Sequence, residues 1–340
     1  MISSRTFNRT TANHVWQGIR RVLLFSIVVT SSLVPAGCAS LDSNRYAEQS
    51  VLTDGDTLLT LVQQIDAGTF LQSRGMLSNG IYDQTYAIGY AAAVAARGND
   101  IYVLDQVSGQ LVHINLALGE ANELMTLPDP NTHGIYVRRD RTVFVVDKNA
   151  RAIRQLDDSG RTTRLFEDRR LMPAPVDVAE SDWGNVIVVA DALSSQLVMF
   201  DTLAGVVDVI GSNMSRPSIA QTVHAIAATS NSVYILDPQM SEVMRFGLHG
   251  NQIGNYGEDE LEIPTALAVD QCGRLFIADQ SGQGILVSSS DMMLPAARAK
   301  QNAFITDQIT DIWVDDNFLY VAAGEQGIRI YLIEPPCAAP

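Results

Sequence analysis

The chain has 340 residues, 46% hydrophobic and 18% charged, enough to bury about three-quarters of the surface its unfolded form exposes, which excludes disorder over most of its length. A formal charge of −15 and a pI near 4.6 argue against a nucleic-acid partner, because phosphate binders need a basic face that releases counterions. Removing residues 1–37, which carry four arginines and no acid, leaves −19, a soluble and self-repelling product.

The amino end is basic up to Arg20-Arg21, continues as the apolar run Val22 to Val34, and ends at the small residues Pro35-Ala36-Gly37 before Cys38. Thirteen apolar-biased residues are too few to span a bilayer, which takes roughly 20 as a helix. Basic flank, short apolar core and small-residue exit describe a secretory signal segment over 1–37. Ala36-Gly37-Cys38 resembles the bacterial lipobox, with Pro35 standing where leucine is usual. That resemblance implies cleavage before Cys38 and acylation of its sulfur, and Ala39 after the cysteine implies the outer membrane. Residues 38–50 are expected to be a polar tether between lipid and body. With Cys38 acylated, Cys272 and Cys337 remain, an even number in a compartment that permits disulfides.

Within residues 51–85, Leu58, Leu61, Val62 and Ile65 recur at i, i+3, i+4 and i+7, with Asp56 near the start and Gly68 after the end. This spacing predicts a short amphipathic helix, docked on an edge of the fold or binding a partner.

From residue 86 onward a unit of a little over forty residues repeats. Five segments end a β-branched or aromatic run on an aspartate: IYVLD at Asp105, VFVVD at Asp147, VIVVAD at Asp191, VYILD at Asp237 and LFIAD at Asp279; LYVAA places Ala323 at the sixth position. Each run follows a shorter apolar strand and a polar turn and precedes an alternating third strand. Short strands separated by Gly, Asn, Asp and Ser turns are antiparallel hairpins, with no helical interval for parallel crossovers. One small sheet buries little by itself, and a radial stack of such sheets leaves only short edges. The expected fold is all-β, a six-bladed β-propeller of four-stranded antiparallel blades over 86–337. Ala91, Ala92, Ala93, Ala225, Ala227, Ala266 and Ala268 fit the crowded axis, and Phe144, Tyr234, Phe276 and Tyr320 the wider second strand. Unit six lacks an obvious fourth strand, so a segment from the amino side, 48–53 or 69–74, is expected to close the ring. Antiparallel order puts Cys272, in a first-to-second-strand turn, and Cys337, after a third strand, on one rim of adjacent blades. The alternatives are a disulfide or a buried thiol with a free tail.

The stretch PTALAVDQCGRLFIADQSGQGILV, Pro264 to Val287, resembles the NHL-type repeat, and the similarity extends over about residues 86–334. The resemblance implies the propeller architecture and no single activity, since that family holds interaction modules and enzymes alike.

The recurring Asp105, Asp147, Asp191, Asp237 and Asp279 sit where a carboxylate accepts N–H bonds from the following turn; calcium ligation by one or two of them is the alternative. His133 and His224 stand at the start of innermost strands in units two and four, and Thr310-Asp311 holds the corresponding place in unit six. Alternate blades face the axis from three directions, so His133, His224 and Asp311 offer zinc two imidazoles and a carboxylate, with a position left for water. This set resembles the peptidyl-amidoglycolate lyases, propellers that hold zinc by three axial histidines. Nucleophile elbows, phosphate loops and metalloprotease motifs are absent. Residues 212–223 and 295–309 are long connections on which recognition can be built. The expected function is a non-enzymatic, lipid-anchored scaffold at the outer membrane that binds an envelope protein or peptide without a cofactor. The alternative is a metal-dependent lyase or hydrolase with a zinc or calcium ion in the channel.

Overall fold

The computed structural model describes residues 50–52, 58–68, 70–77, 80–129, 131–181, 186–211, 220, 222–257, 260–281, 284–288, 297–298 and 308–337. The export segment, Cys38, the tether up to Gln49 and most of connections 212–223 and 295–309 lie outside the described residues.

Six antiparallel sheets form a ring. Blade one contains Ala91–Arg97, Asp100–Asp105, Gln110–Asn115 and Glu120–Thr126, from axis to rim. Phe70–Leu77 and Gly80–Ala87 extend it outward, the former meeting Glu120 in parallel. Blade two is Ile135–Val137, Val143–Asp147, Ala152–Leu156 and Thr162–Glu167; blade three is Pro175–Ser181, Val186–Asp191, Gln196–Phe200 and Val206–Ile210. Blade four is Ala225–Ala228, Ser232–Asp237, Glu242–Gly247 and Gln252–Tyr256; blade five is Pro264–Val269, Leu275–Asp279, Gly284–Ser288 and Ala297–Arg298. Blade six is Asp311–Asp315, Phe318–Ala322 and Ile328–Glu334. Each innermost strand touches those of both neighbours, and that of blade six touches that of blade one. The six-bladed propeller expected from the repeat is the observed fold.

Six apolar clusters fill the six spaces between blades. Second strands are buried along nearly their whole length because each has a neighbouring blade above and below, so they read as continuous apolar runs and not as alternating ones. Phe144, Tyr234, Phe276 and Tyr320 all fill these spaces. Every such side chain removed from water stabilises the ring by about 1.5–3 kcal/mol.

Ring closure departs from expectation. The predicted helix over Leu58 to Ile65 is a strand, Leu58–Ile65, paired antiparallel with Ile328–Glu334 as the fourth strand of blade six. Its bulge between Leu61 and Gln63 inserts one residue. Leu59 and Leu61 pack toward blade five and, past the bulge, Ile65 packs toward blade one, while Val62, on the supposed apolar face, is exposed. The open edge of blade six supplies a row of unmet hydrogen-bonding groups, and only an extended segment satisfies them. Of the two segments expected to close the ring, Ser50–Leu52 pairs outside this strand and Phe70–Leu77 joins blade one. Gly327 makes the closure fit: at φ +82° a Cβ there would lie 2.1 Å from the Ile65 carbonyl oxygen, a combination open only to glycine.

Candidate functional site

The six innermost strands share one register, which defines layers along the axis. Ala93, Asp177, Ala225, Ala266 and Asp311 pair with Leu104, Ala190, Leu236, Ala278 and Ala322, one residue before the repeat-ending position of each second strand. Gly134 takes that place in blade two, its carbonyl accepting Val146 N at 3.0 Å. Around this layer the residues are thus Ala, Gly, Asp, Ala, Ala, Asp. The two aspartates occupy blades three and six, half a turn apart.

Both carboxylates use the unpaired edges of innermost strands. Asp311 accepts Val94 N of blade one at 2.9 Å and its own neighbour Ile312 N at 2.8 Å. Asp177 repeats the pattern with Ile226 N of blade four at 2.7 Å and Val178 N at 2.8 Å. Each therefore bridges two blades at the axis. Burial pushes the Asp177 carboxyl up to about 7, partly offset by its two N–H donors. Burial likewise holds Asp311 well above the ordinary carboxylate range, with repulsion from Asp177 adding to it. No arginine, lysine or histidine acts on either.

Asp177 and Asp311 line a cavity of about 770 Å³ to which all six innermost strands contribute. It opens on the face that carries the first-to-second-strand turns, among them Asp140, Asn231, Gln271 and Asp316. Two residues above the aspartate layer, Tyr136 and Trp313 meet edge to face at 5.3 Å, and the Trp313 indole N–H donates to Ala96 O at 2.9 Å. Near the opening stand three charge pairs, beside Arg139, Asp140, Arg245 and Asp316 of the same lining. Arg97 bonds Asp315 at 2.5 Å and lies over the Trp313 ring, Arg138 bonds Glu180 at 2.5 Å, and Arg274 bonds Asp270 at 2.6 Å.

His133 and His224 lie one layer below the aspartates, toward the opposite mouth, level with Ala92, Val176, Thr265 and Thr310. Both are exposed there. Partial burial, then the Lys148 ammonium, lowers their pKa values below the usual imidazole range. The true counterpart of these histidines in blade six is Thr310, whose hydroxyl bonds Ala91 O at 2.7 Å. Asp311 is one residue further along the strand. The ligand atoms of His133, His224 and Asp311 do not all lie within 4.8 Å of one another. Among the described residues, the group whose ligand atoms approach within 4.8 Å is Asp270, Cys272 and Cys337, and its two sulfurs are joined to each other.

That disulfide links Cys272, on the rim of the cavity, to Cys337 beyond the last strand. Arg274 adds a bond to Pro335 O at 2.9 Å, so the chain end is tied down by more than the sulfurs.

The repeated aspartates each join two stretches of their blade. Asp105 accepts Tyr90 N and Val107 N at 2.9 and 3.1 Å. Asp191 accepts Ala174 N and Ser194 N at 2.6 and 2.8 Å. Asp237 accepts Thr222 N and Gln239 N at 3.2 and 3.0 Å, and Asp279 accepts Glu262 N and Ser281 N at 2.7 and 2.9 Å. Asp147 accepts Ala150 N and pairs with Arg154. At Asp105, Asp191, Asp237 and Asp279 these bonds hold the chain arriving at the innermost strand against the turn leaving the second, and at Asp147 they tie that turn to the third strand.

Comparison with solved structures returns propellers. The chain resembles a virginiamycin B lyase from Staphylococcus aureus at 12% identity and TM-score 0.55, over 84% of this chain and 93% of that one. It resembles a Bacteroides thetaiotaomicron protein of unknown function at 13% identity and TM-score 0.55, over 82% and 88%. A similar likeness, at 11% identity and TM-score 0.55 over 84% and 93%, is to the WD40 propeller domain of Doa1. No family model and no curated protein matches the chain. At these identities the likeness is one of fold.

Asp177 escaped the sequence reading because a lone aspartate in PVDVAES resembles any polar strand residue. Setting the six innermost strands in register exposes it, since the other blades carry Ala, Gly or Asp311 there.

Proposed function

We propose that the chain is a lipid-anchored outer-membrane propeller, held by Cys38, that binds a protein or peptide segment of the envelope through its axial cavity. The observation that carries this reading is the 770 Å³ cavity on the ring axis, open at one face and lined by every blade. Concave sites of about 300–1,000 Å³ with a few converging polar groups are where ligands bind. No histidine lines it among the described residues, so a hydroxyl or thiol there has no imidazole base beside it. Export resemblance and the NHL-like repeat support an envelope interaction module.

The test is capture from an envelope extract by the full-length chain and by an Asn231→Trp, Gln271→Trp variant. Both positions are exposed on the rim, so the indoles narrow the mouth and leave the core intact. We expect one stoichiometric partner on the unaltered chain and about tenfold less on the variant. Equal recovery by both chains, or no partner on either, overturns the reading.

The second reading, a metal-dependent lyase or hydrolase, draws support from His133 and His224 sharing a layer at one mouth. The donor set does not fit a three-ligand ion, because the ligand atoms of His133, His224 and Asp311 do not all lie within 4.8 Å of one another, and no reaction step is derived through a metal. Metal stoichiometry of the purified chain, compared with His133→Ala and His224→Ala, decides it: bound metal lost in both variants supports this reading, and none in any form ends it.

A further inference from the structure

Three of the acids around the cavity have partners: Asp315 has Arg97, Glu180 has Arg138 and Asp270 has Arg274. Asp177 and Asp311 do not. Each of their four carboxylate oxygens accepts one backbone N–H, whereas each has lone pairs for two bonds. No cationic side chain pairs with them among the described residues, and both line the cavity. Ala93, Gly134, Ala225 and Ala266 hold the same register position in the other four blades. On one side of the cavity lies the Tyr136–Trp313 pair, aromatic rings of the kind whose faces attract cations, with Arg97 already over one face of Trp313. Two uncompensated carboxyls and an aromatic wall together describe the surroundings of an organic ammonium group.

We propose that the bottom of the axial cavity recognises a primary ammonium group, carried on a peptide amino terminus or a lysine side chain, seated between Asp177 and Asp311 beside Tyr136 and Trp313. This rests on the cavity being the binding site and names the chemistry it selects. A neutral group of the same size would leave the carboxyls as they are; an ammonium supplies the missing charge and up to three donors. Guanidinium pairs at the opening leave peptide polar groups to be met at the rim.

The charge balance makes binding sensitive to pH. Burial pushes the Asp177 carboxyl up to about 7, so below that pH it must lose its proton to the solvent as the ammonium arrives, and affinity rises as pH rises. Other titratable groups along the axis are His133 and His224 with Lys148 below, and above them the Arg97–Asp315, Arg138–Glu180 and Arg274–Asp270 pairs together with Arg139, Asp140, Tyr234, Arg245 and Asp316. The imidazoles are held below their usual range.

Calorimetric titration of the full-length chain tests this with pentylamine, pentan-1-ol and pentanoate as probes. Glycylglycine amide and Nα-acetyl-lysine amide separate an amino terminus from a lysine side chain. Pentylamine is expected to bind at least about tenfold tighter than the other two five-carbon probes, and to weaken roughly tenfold from pH 8 to pH 6 with proton uptake by the released site. Asp177→Asn with Asp311→Asn should abolish that preference; the unaltered chain's pH profile and probe ranking decide the matter even where this variant folds poorly. Alcohol or pentanoate binding as tightly as the amine, or amine affinity flat with pH, overturns the proposal. Rim-dependent partner capture together with such charge-blind binding would leave the cavity reading standing and remove only the ammonium.

Discussion

At Asp191 one carboxylate accepts Ala174 N from the chain arriving at blade three and Ser194 N and Oγ from the turn leaving it. The residue is fully buried, so Asp191→Ala leaves three donors without their acceptor. We expect a loss of about 2–4 kcal/mol in urea unfolding, because an unsatisfied buried donor costs 1–3 kcal/mol and these three are only partly buried. A cost below about 0.5 kcal/mol would mean that these aspartates are replaceable turn residues. This role was legible in the sequence because it recurs five times at one place in the repeat. Asp177 and Asp311 were not legible as a pair. What makes them one is the closure of the ring, which sets blades three and six across the axis.

The strand Leu58–Ile65 separates two ways of reading the same residues. As a helix, Leu58, Leu61, Val62 and Ile65 form the packed stripe and Leu59 stands off it. As the closing strand, Leu59 is fully buried between blades five and six and Val62 is 43% exposed. Leu59→Ala should therefore cost about 2–5 kcal/mol through lost burial and a residual cavity, while Val62→Ala should stay within about 0.5 kcal/mol. Denaturant midpoints of the two variants measure this, and the reverse order would restore the helix. Local periodicity misled here because a bulge shifts a two-residue alternation by one. The hydrogen-bonding demand that decides between strand and helix comes from Ile328–Glu334, more than 260 residues later in the chain.

For the whole ring, integrity depends on joining its last blade to what surrounds it. The closing strand does so on the rim, Ala91 N donates to Gly324 O at 3.0 Å from blade one, and Cys272–Cys337 does so from blade five. The disulfide spans a sequence separation of 65 residues. In a chain-entropy treatment, restricting a loop of that size in the unfolded state stabilises the protein by about 4 kcal/mol. Cys272→Ser with Cys337→Ser should lower unfolding stability by roughly that amount, and dithiothreitol should lower it equally in the unaltered chain and not at all in the variant. A melting temperature indifferent to both treatments would remove the cross-link as a contributor. Arg274, bonded to Asp270 and to Pro335 O, is expected to keep the tail near the rim after reduction.

Six-fold repetition, alanine at the axis, large rings on second strands and a carboxylate at five of the six turns were all present in the linear order of residues, because they follow from nearest-neighbour chemistry repeated every forty-odd positions. Which segment fills the vacancy in blade six, and which acids face each other down the channel, depended on contacts between residues hundreds of positions apart. Hydrogen bonding across an open sheet edge and desolvation at a shared axis exist only once the circle is complete, and no local pattern encodes either.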